Sequence, residues 1–168
     1  SPGRASARAA APAGAGAALA FACDLRIAST TASFAMAFAR AGLSADSGAS
    51  YTLPRLIGTG RALQLMLLGE TLSAEEALRI GLVYDVVPGD ELAARTAALA
   101  ARLADSSTGA LGWIKRSVHF AAGHTLAESL RFEDEAQRAC FASADHREAL
   151  RAFLEKRPPR FRPATDVR

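Results

Sequence analysis

Beyond Pro88-Gly89 the chain carries only helical patterning, whereas before that point helices alternate with short strand-like runs. This asymmetry restricts the fold to a mixed α/β first part followed by helices alone. In the second part Leu92, Leu99 and Leu103 share a stripe, and residues 108–122 form a helix with Trp113 as core anchor. Thr125-Leu126-Ala127-Glu128 has capping-box form and opens a long helix to about Phe141. Asp145-His146-Arg147-Glu148 starts the last helix, which ends before Pro158-Pro159. In the first part, residues 14–23 read as a short buried helix and residues 25–28 and 33–36 as strands. A helix opens at Ser47 or Gly48, with Pro54 near its first turn or at a kink, and residues 60–68 form a helix closed by Gly69. Ser73-Ala74-Glu75-Glu76 is another capping box, for a helix that Gly81 ends, and residues 82–87 are a strand.

Composition narrows the function classes. Half of the 168 residues are hydrophobic, but alanine contributes heavily and aromatics are 7%, which favours close-packed helices over an aromatic-rich sandwich. A chain of this length forms one domain, or one with a helical extension. No apolar stretch approaches the roughly 20 residues that span a bilayer, so no membrane partner is expected. The net charge is +3, with basic residues gathered at Lys156, Arg157, Arg160, Arg162 and Arg168. Without interleaved aromatics this is no nucleic-acid surface. Recognition of a phosphate-bearing small molecule and a merely solvated tail both remain open. Cys23 and Cys140 form no C-x-x-C pair and sit in apolar helical contexts, which reads as buried free thiols in a reducing, cytoplasmic compartment. His119, His124 and His146 lack metal-ligand spacing, so no metal is expected.

Residues 1–13 read S-P-G-R-A-S-A-R-A-A-A-P-A, with neither periodicity nor the apolar core of a signal peptide. They are expected to be disordered or artefactual. The chemistry-bearing stretch is residues 41–52, A-G-L-S-A-D-S-G-A-S-Y-T, where Asp46 is the sole ionisable group besides the Tyr51 phenol. Burial there would desolvate the carboxylate and raise its pKa, as suits a general base. The rival reading is an N-cap of the following helix. Gly14-Ala15-Gly16 opens a helix whose backbone N–H groups could hold a developing negative charge, or simply lets small residues pack closely. It fails as a dinucleotide fingerprint, having no preceding strand and no acid at the right distance. Ser44, Ser47 and Ser50 have no local histidine, so a serine triad has little support. Arg55 and Arg61 could hold a phosphate or sit at solvated helix ends, and Phe38 and Tyr51 read as pocket wall or core.

Four segments together carry a resemblance: G-A-G-A-A-L-A-F-A-C-D-L-R-I-A at residues 14–28, F-A-M-A-F-A-R-A-G-L-S-A-D-S-G-A-S-Y-T-L-P-R-L-I-G at 34–58, L-L-G-E-T-L-S-A-E-E-A-L-R-I-G-L-V at 67–83, and F-L-E-K-R at 153–157. In that order and spacing the chain resembles the crotonase (enoyl-CoA hydratase/isomerase) superfamily. The resemblance implies an α/β, ClpP/crotonase-type spiral core over residues 14–105 and a C-terminal helical trimerisation region over 106–168, in a homotrimer or dimer of trimers. It implies an acyl-CoA thioester substrate and no cofactor beyond that CoA. The thioester oxygen would accept from two backbone N–H groups, one of them that of Ala15, between Gly14 and Gly16. The two glutamates that hydratases use fall at Ala18 and Phe38, which disfavours water addition. Asp46 instead matches the aspartate of a G-L-x-x-D-x-G segment found in isomerases, those acting on enoyl, dienoyl or ring-epoxide thioesters of phenylacetate catabolism included. Asp46 would then shuttle the proton, while Phe38, Leu43 and Tyr51 shape the acyl pocket and exclude water. Phe153 and Lys156 resemble the pair that meets the CoA adenine and its phosphate. Hydratase activity through Asp46, or a non-catalytic oligomerising remnant, are the alternatives. Members of the superfamily carry a β-rich segment before the Gly14 turn. The unlike residues here lead to the expectation of a truncated or frame-disrupted product that folds poorly and is inactive.

Overall fold

The computed structural model of the chain describes residues 5–8 and 15–161. Strand β2 (Leu25–Ser29) is the centre of a three-stranded parallel sheet, flanked by β1 (Ala5–Arg8) and β5 (Asp85–Val87). Ala5 pairs with Leu25 and Arg8 with Ala28, while Ile27 pairs with Asp85. From Arg26 to Ser29 every residue of β2 is buried, as a parallel strand covered on both faces requires. β1 corrects the expectation for residues 1–13: residues 5–8 are strand, not irregular chain. The rest of that stretch, with Gly14, lies outside the described residues.

Helix α1 (Ala15–Phe21) follows, with Ala17 and Ala18 wholly buried. The two strands β3 (Ser33–Ala35) and β4 (Thr71–Ser73) pair antiparallel, Phe34 facing Leu72 across them. Between them lie α2 (Ala49–Ile57) and α3 (Thr59–Leu68), the latter closed by Gly69 in the left-handed conformation. Pro54 is the sixth residue of α2, deeper than the first-turn position expected of it. Helix α4 (Ala74–Arg79) is capped by Ser73, whose hydroxyl oxygen accepts from the Glu76 N–H at 3.1 Å.

The expected strand over 82–87 shrinks to three residues for a specific reason. The Leu82 and Val83 N–H groups both bond back to the Ala77 carbonyl, at 2.8 and 3.2 Å, so they close α4 instead of joining the ladder. Arg26 fastens this turn to β2. Its guanidinium donates to the Leu82 carbonyl at 2.6 Å and to the Cys23 carbonyl. Burial pulls the Arg26 pKa below its ordinary value, against the opposing pull of Cys23 and Asp24. One core runs from Ala17 to Val83, with Leu53 and Leu82 its largest wholly buried side chains.

The chain divides into two units, one over residues 3–99 and the other from residue 100 on, the boundary falling inside α5 (Leu92–Ala104). In the second unit α6 (Thr108–Ala121) packs on α7 (Leu126–Phe141), and α7 on α8 (Ala144–Leu154). The Thr125 capping box forms in both halves: Glu128 N–H donates to the Thr125 hydroxyl at 3.3 Å and Thr125 N–H to the Glu128 carboxylate at 2.8 Å. Hydrogen bonds from the Thr125 hydroxyl and backbone hold the Glu128 pKa below the usual carboxylate value. Trp113 meets Phe132 edge-on at 6.0 Å but is only half-buried, less of an anchor than its size suggests. Cys23 and Cys140 are free and half-buried rather than buried.

Candidate active site

The loop carrying Asp46 is built by its neighbours. Phe38 is buried, and its carbonyl accepts from the Ala41 and Leu43 N–H groups at 3.0 Å each. This winds Ala39–Ala41 into a 3-10 turn that ends on Gly42 at φ 69°. Ala45 then packs, half-buried, against the core. The Asp46 carbonyl accepts from the Ala49 N–H at 2.9 Å, across Ser47 at φ 50° and Gly48 at φ 79°. Two left-handed residues in succession make a turn of the I′ kind. Gly48 takes that geometry freely, whereas the Ser47 β-carbon opposes it by roughly 1–2 kcal/mol. Backbone strain of this sort clusters at functional sites. Beyond the turn, Ala49 and Leu53 are wholly buried, and α2 packs against α1.

Asp46 itself is exposed. The condition for a desolvated carboxylate is therefore not met: Ala45 and Ala49 take the inward positions and the acid between them faces solvent. Nor is it a cap, because α2 is capped by Gly48 with no side-chain bond. Among the described residues no hydrogen bond or ion pair engages the carboxylate. Leu43 and Tyr51, expected to exclude water, are 64% and 60% exposed. Arg55 lies over the Tyr51 ring at 3.5 Å and donates to the Tyr51 carbonyl at 2.9 Å, so it is tied to its own helix. Phe38 is a member of the buried core.

Ala15 is the first residue of α1, where a helical N–H has no carbonyl within the helix to bond. Gly16 is the second, and Gly14 lies outside the described residues. Ala18 and Phe38, at the positions of the hydratase glutamates, are both buried in the apolar core. Phe153 and Lys156 lie in the second unit. Phe153 is 80% exposed, and Lys156 sits at φ 53° just past α8. There the Lys156 N–H bonds the Phe153 carbonyl and the Arg157 N–H the Ala152 carbonyl, a Schellman ending that glycine usually occupies. Sequence reasoning missed the Arg26 clamp and the pairing of Arg157 with Glu148 at 2.7 Å. Neither has a local signal, since each joins positions brought close only by the fold.

Residues 6–164 match the enoyl-CoA hydratase/isomerase family. Over 143 residues the chain is 45% identical to the 1,2-epoxyphenylacetyl-CoA isomerase of Escherichia coli, spanning 85% of this chain and 55% of that protein. It is 42% identical to a probable enoyl-CoA hydratase of Rhodobacter capsulatus, spanning 85% of this chain and 56% of that one. Among solved structures, a putative enoyl-CoA hydratase/isomerase from Mycobacterium abscessus is similar with TM-score 0.89 and 42% identity, over 92% of this chain and 59% of that one. An enoyl-CoA hydratase/isomerase from Cupriavidus metallidurans gives TM-score 0.89 at 35% identity, over 98% and 62%. The chain thus spans a little over half the length of the curated relatives it matches. The expected α/β crotonase-type fold is borne out by these likenesses. With the family pattern running from residue 6 to residue 164 on that fold, the chain belongs to the enoyl-CoA hydratase/isomerase family.

Proposed function

We propose that the protein containing this chain is an acyl-CoA isomerase, moving a double bond or rearranging a ring epoxide through a thioester enolate, with Asp46 as the proton shuttle. The observation that carries this reading is a carboxylate that no described residue engages, held at the head of α2 by a strained turn. The thioester oxygen accepts from the Ala15 N–H at the start of α1 and from a second backbone donor, Gly14 and Gly16 allowing close approach. Asp46 takes a proton from the acyl chain, the enolate charge rests on the N–H groups, and the protonated Asp46 returns the proton at another carbon. One such donor is worth about 3 kcal/mol and the base about 10²–10⁴-fold. Enolate chemistry needs water kept out. On this reading Leu43 and Tyr51 line the acyl pocket beside Asp46. Phe153 and Lys156 meet the CoA moiety.

The apolar, buried Ala18 and Phe38 support isomerisation over water addition, because neither can move a proton. The hydratase reading is favoured by a different observation, the several relatives described as probable enoyl-CoA hydratases. Assembly as a homotrimer or dimer of trimers is supported by the second unit, where Val118, Leu126, Phe141, Phe153 and Leu154 are each more than 60% exposed. Replacing Asp46→Asn tests the base. Binding of a CoA thioester is retained, while double-bond migration, followed spectroscopically on a 3-enoyl-CoA, falls by about 10²–10⁴-fold. Migration at the original rate would remove Asp46 from the mechanism.

A further inference from the structure

The second unit holds a charged cleft of its own. Arg147 and Arg151, four residues apart on one face of α8, and Arg160 from the chain beyond it line a cleft of about 350 Å³ with Ala144, Asp145 and Glu148. Arg160 gets there because the chain doubles back after α8. Lys156 turns it, Arg157 donates to the Glu148 carboxylate at 2.7 and 3.3 Å, and the Arg160 N–H donates to the same carboxylate at 3.0 Å. Glu148 is therefore engaged. Asp145 accepts from the Ser107 hydroxyl at 2.6 Å and is engaged as well. Arg147 uses one nitrogen on the Ala142 carbonyl at 3.0 Å. The Arg151 and Arg160 guanidiniums make no hydrogen bond with any described residue, although the charge of Arg151 is near enough to Glu148 to help lower its pKa. Three cations thus border one concavity with two acids, of which Glu148 is paired with Arg157 and Asp145 has only the neutral Ser107 hydroxyl as partner.

We propose that this cleft binds a small phosphoryl-bearing anion. Guanidinium forks match pairs of phosphoryl oxygens, and three of them favour a multiply charged group over a single carboxylate. The sequence left the basic chain end open between phosphate recognition and a solvated tail, and the fold-back of Arg160 onto α8 favours the first. The cleft is distinct from Phe153, which lies about 200° around α8 from Arg151.

Isothermal titration with inorganic pyrophosphate, at ionic strength fixed with chloride, tests the site. Saturable binding to one site is expected, weakened about tenfold by Arg151→Gln and again by Arg160→Gln. Both side chains are exposed and hydrogen-bond to no described residue, so the variants should keep the circular dichroism of the parent; Arg147→Gln is a further arm with the same expectation. Arg138→Gln, elsewhere on the surface, leaves affinity unchanged. Absence of saturable binding in the parent protein, or equal loss in Arg138→Gln, overturns the proposal.

Discussion

Ser47 and Asp46 are adjacent, yet the sequence exposes one and hides the other. Asp46 stands out because nothing else in residues 41–52 ionises except a phenol. The strain at Ser47 does not stand out, because a serine before a glycine fits many turns and its φ of 50° follows only from how Ala45 and Ala49 are anchored. Relieving that strain has a measurable sign. Ser47→Gly should raise stability by about 0.5–1 kcal/mol in urea denaturation, the loss of left-handed strain outweighing the added freedom of the unfolded chain. Ser47→Val should lower it, since a β-branched residue resists positive φ. Equal stability of the three proteins would show that the turn is not held as described. The exposure of Asp46 was likewise illegible, because small neighbours allow burial without dictating which of them points inward.

At the scale of elements, the boundaries that carry their own hydrogen-bonding chemistry were readable. Ser73 and Thr125 cap the helices their spacing announces, and Gly69 and Gly81 end theirs with positive φ. Elements fixed by distant partners were not. Strand β4 exists because Phe34 lies opposite Leu72, and β1 because Ala5 lies opposite Leu25. The C-terminal fold-back is of this kind and has a pH signature. Hydrogen bonds from the Arg157 side chain and the Arg160 N–H lower the Glu148 pKa from 4.5 to about 2. A carboxylate depressed on folding contributes stability that is present above its unfolded value and lost as pH falls through the folded one. The anchoring of residues 157–160 should therefore persist above about pH 4.5 and fail as pH falls toward 2. The Arg160 amide resonance reports it, with a midpoint near 2; a midpoint near 4.5 would mean that Glu148 is not so paired. Glu148→Gln should abolish this transition.

Across the whole molecule, the α/β beginning and helical end were legible from the change of periodicity at Pro88-Gly89. The uneven distribution of buried side chains was not, because amphipathic stripes look alike whether their apolar face is covered or bare. The first unit encloses a continuous core from Ala17 to Val83, whereas among the described residues from 100 on only Ser129, Ala136 and Ala152 are buried. Local opening costs least where few apolar contacts are broken. In deuterated solvent, amides of α6, α7 and α8 in the isolated chain should therefore exchange well before those of β2 and α4. Uniform protection along the chain would mean that the bare helical faces are covered by one another in solution, so the pattern of deuterium uptake doubles as a reading of whether the chain stands alone.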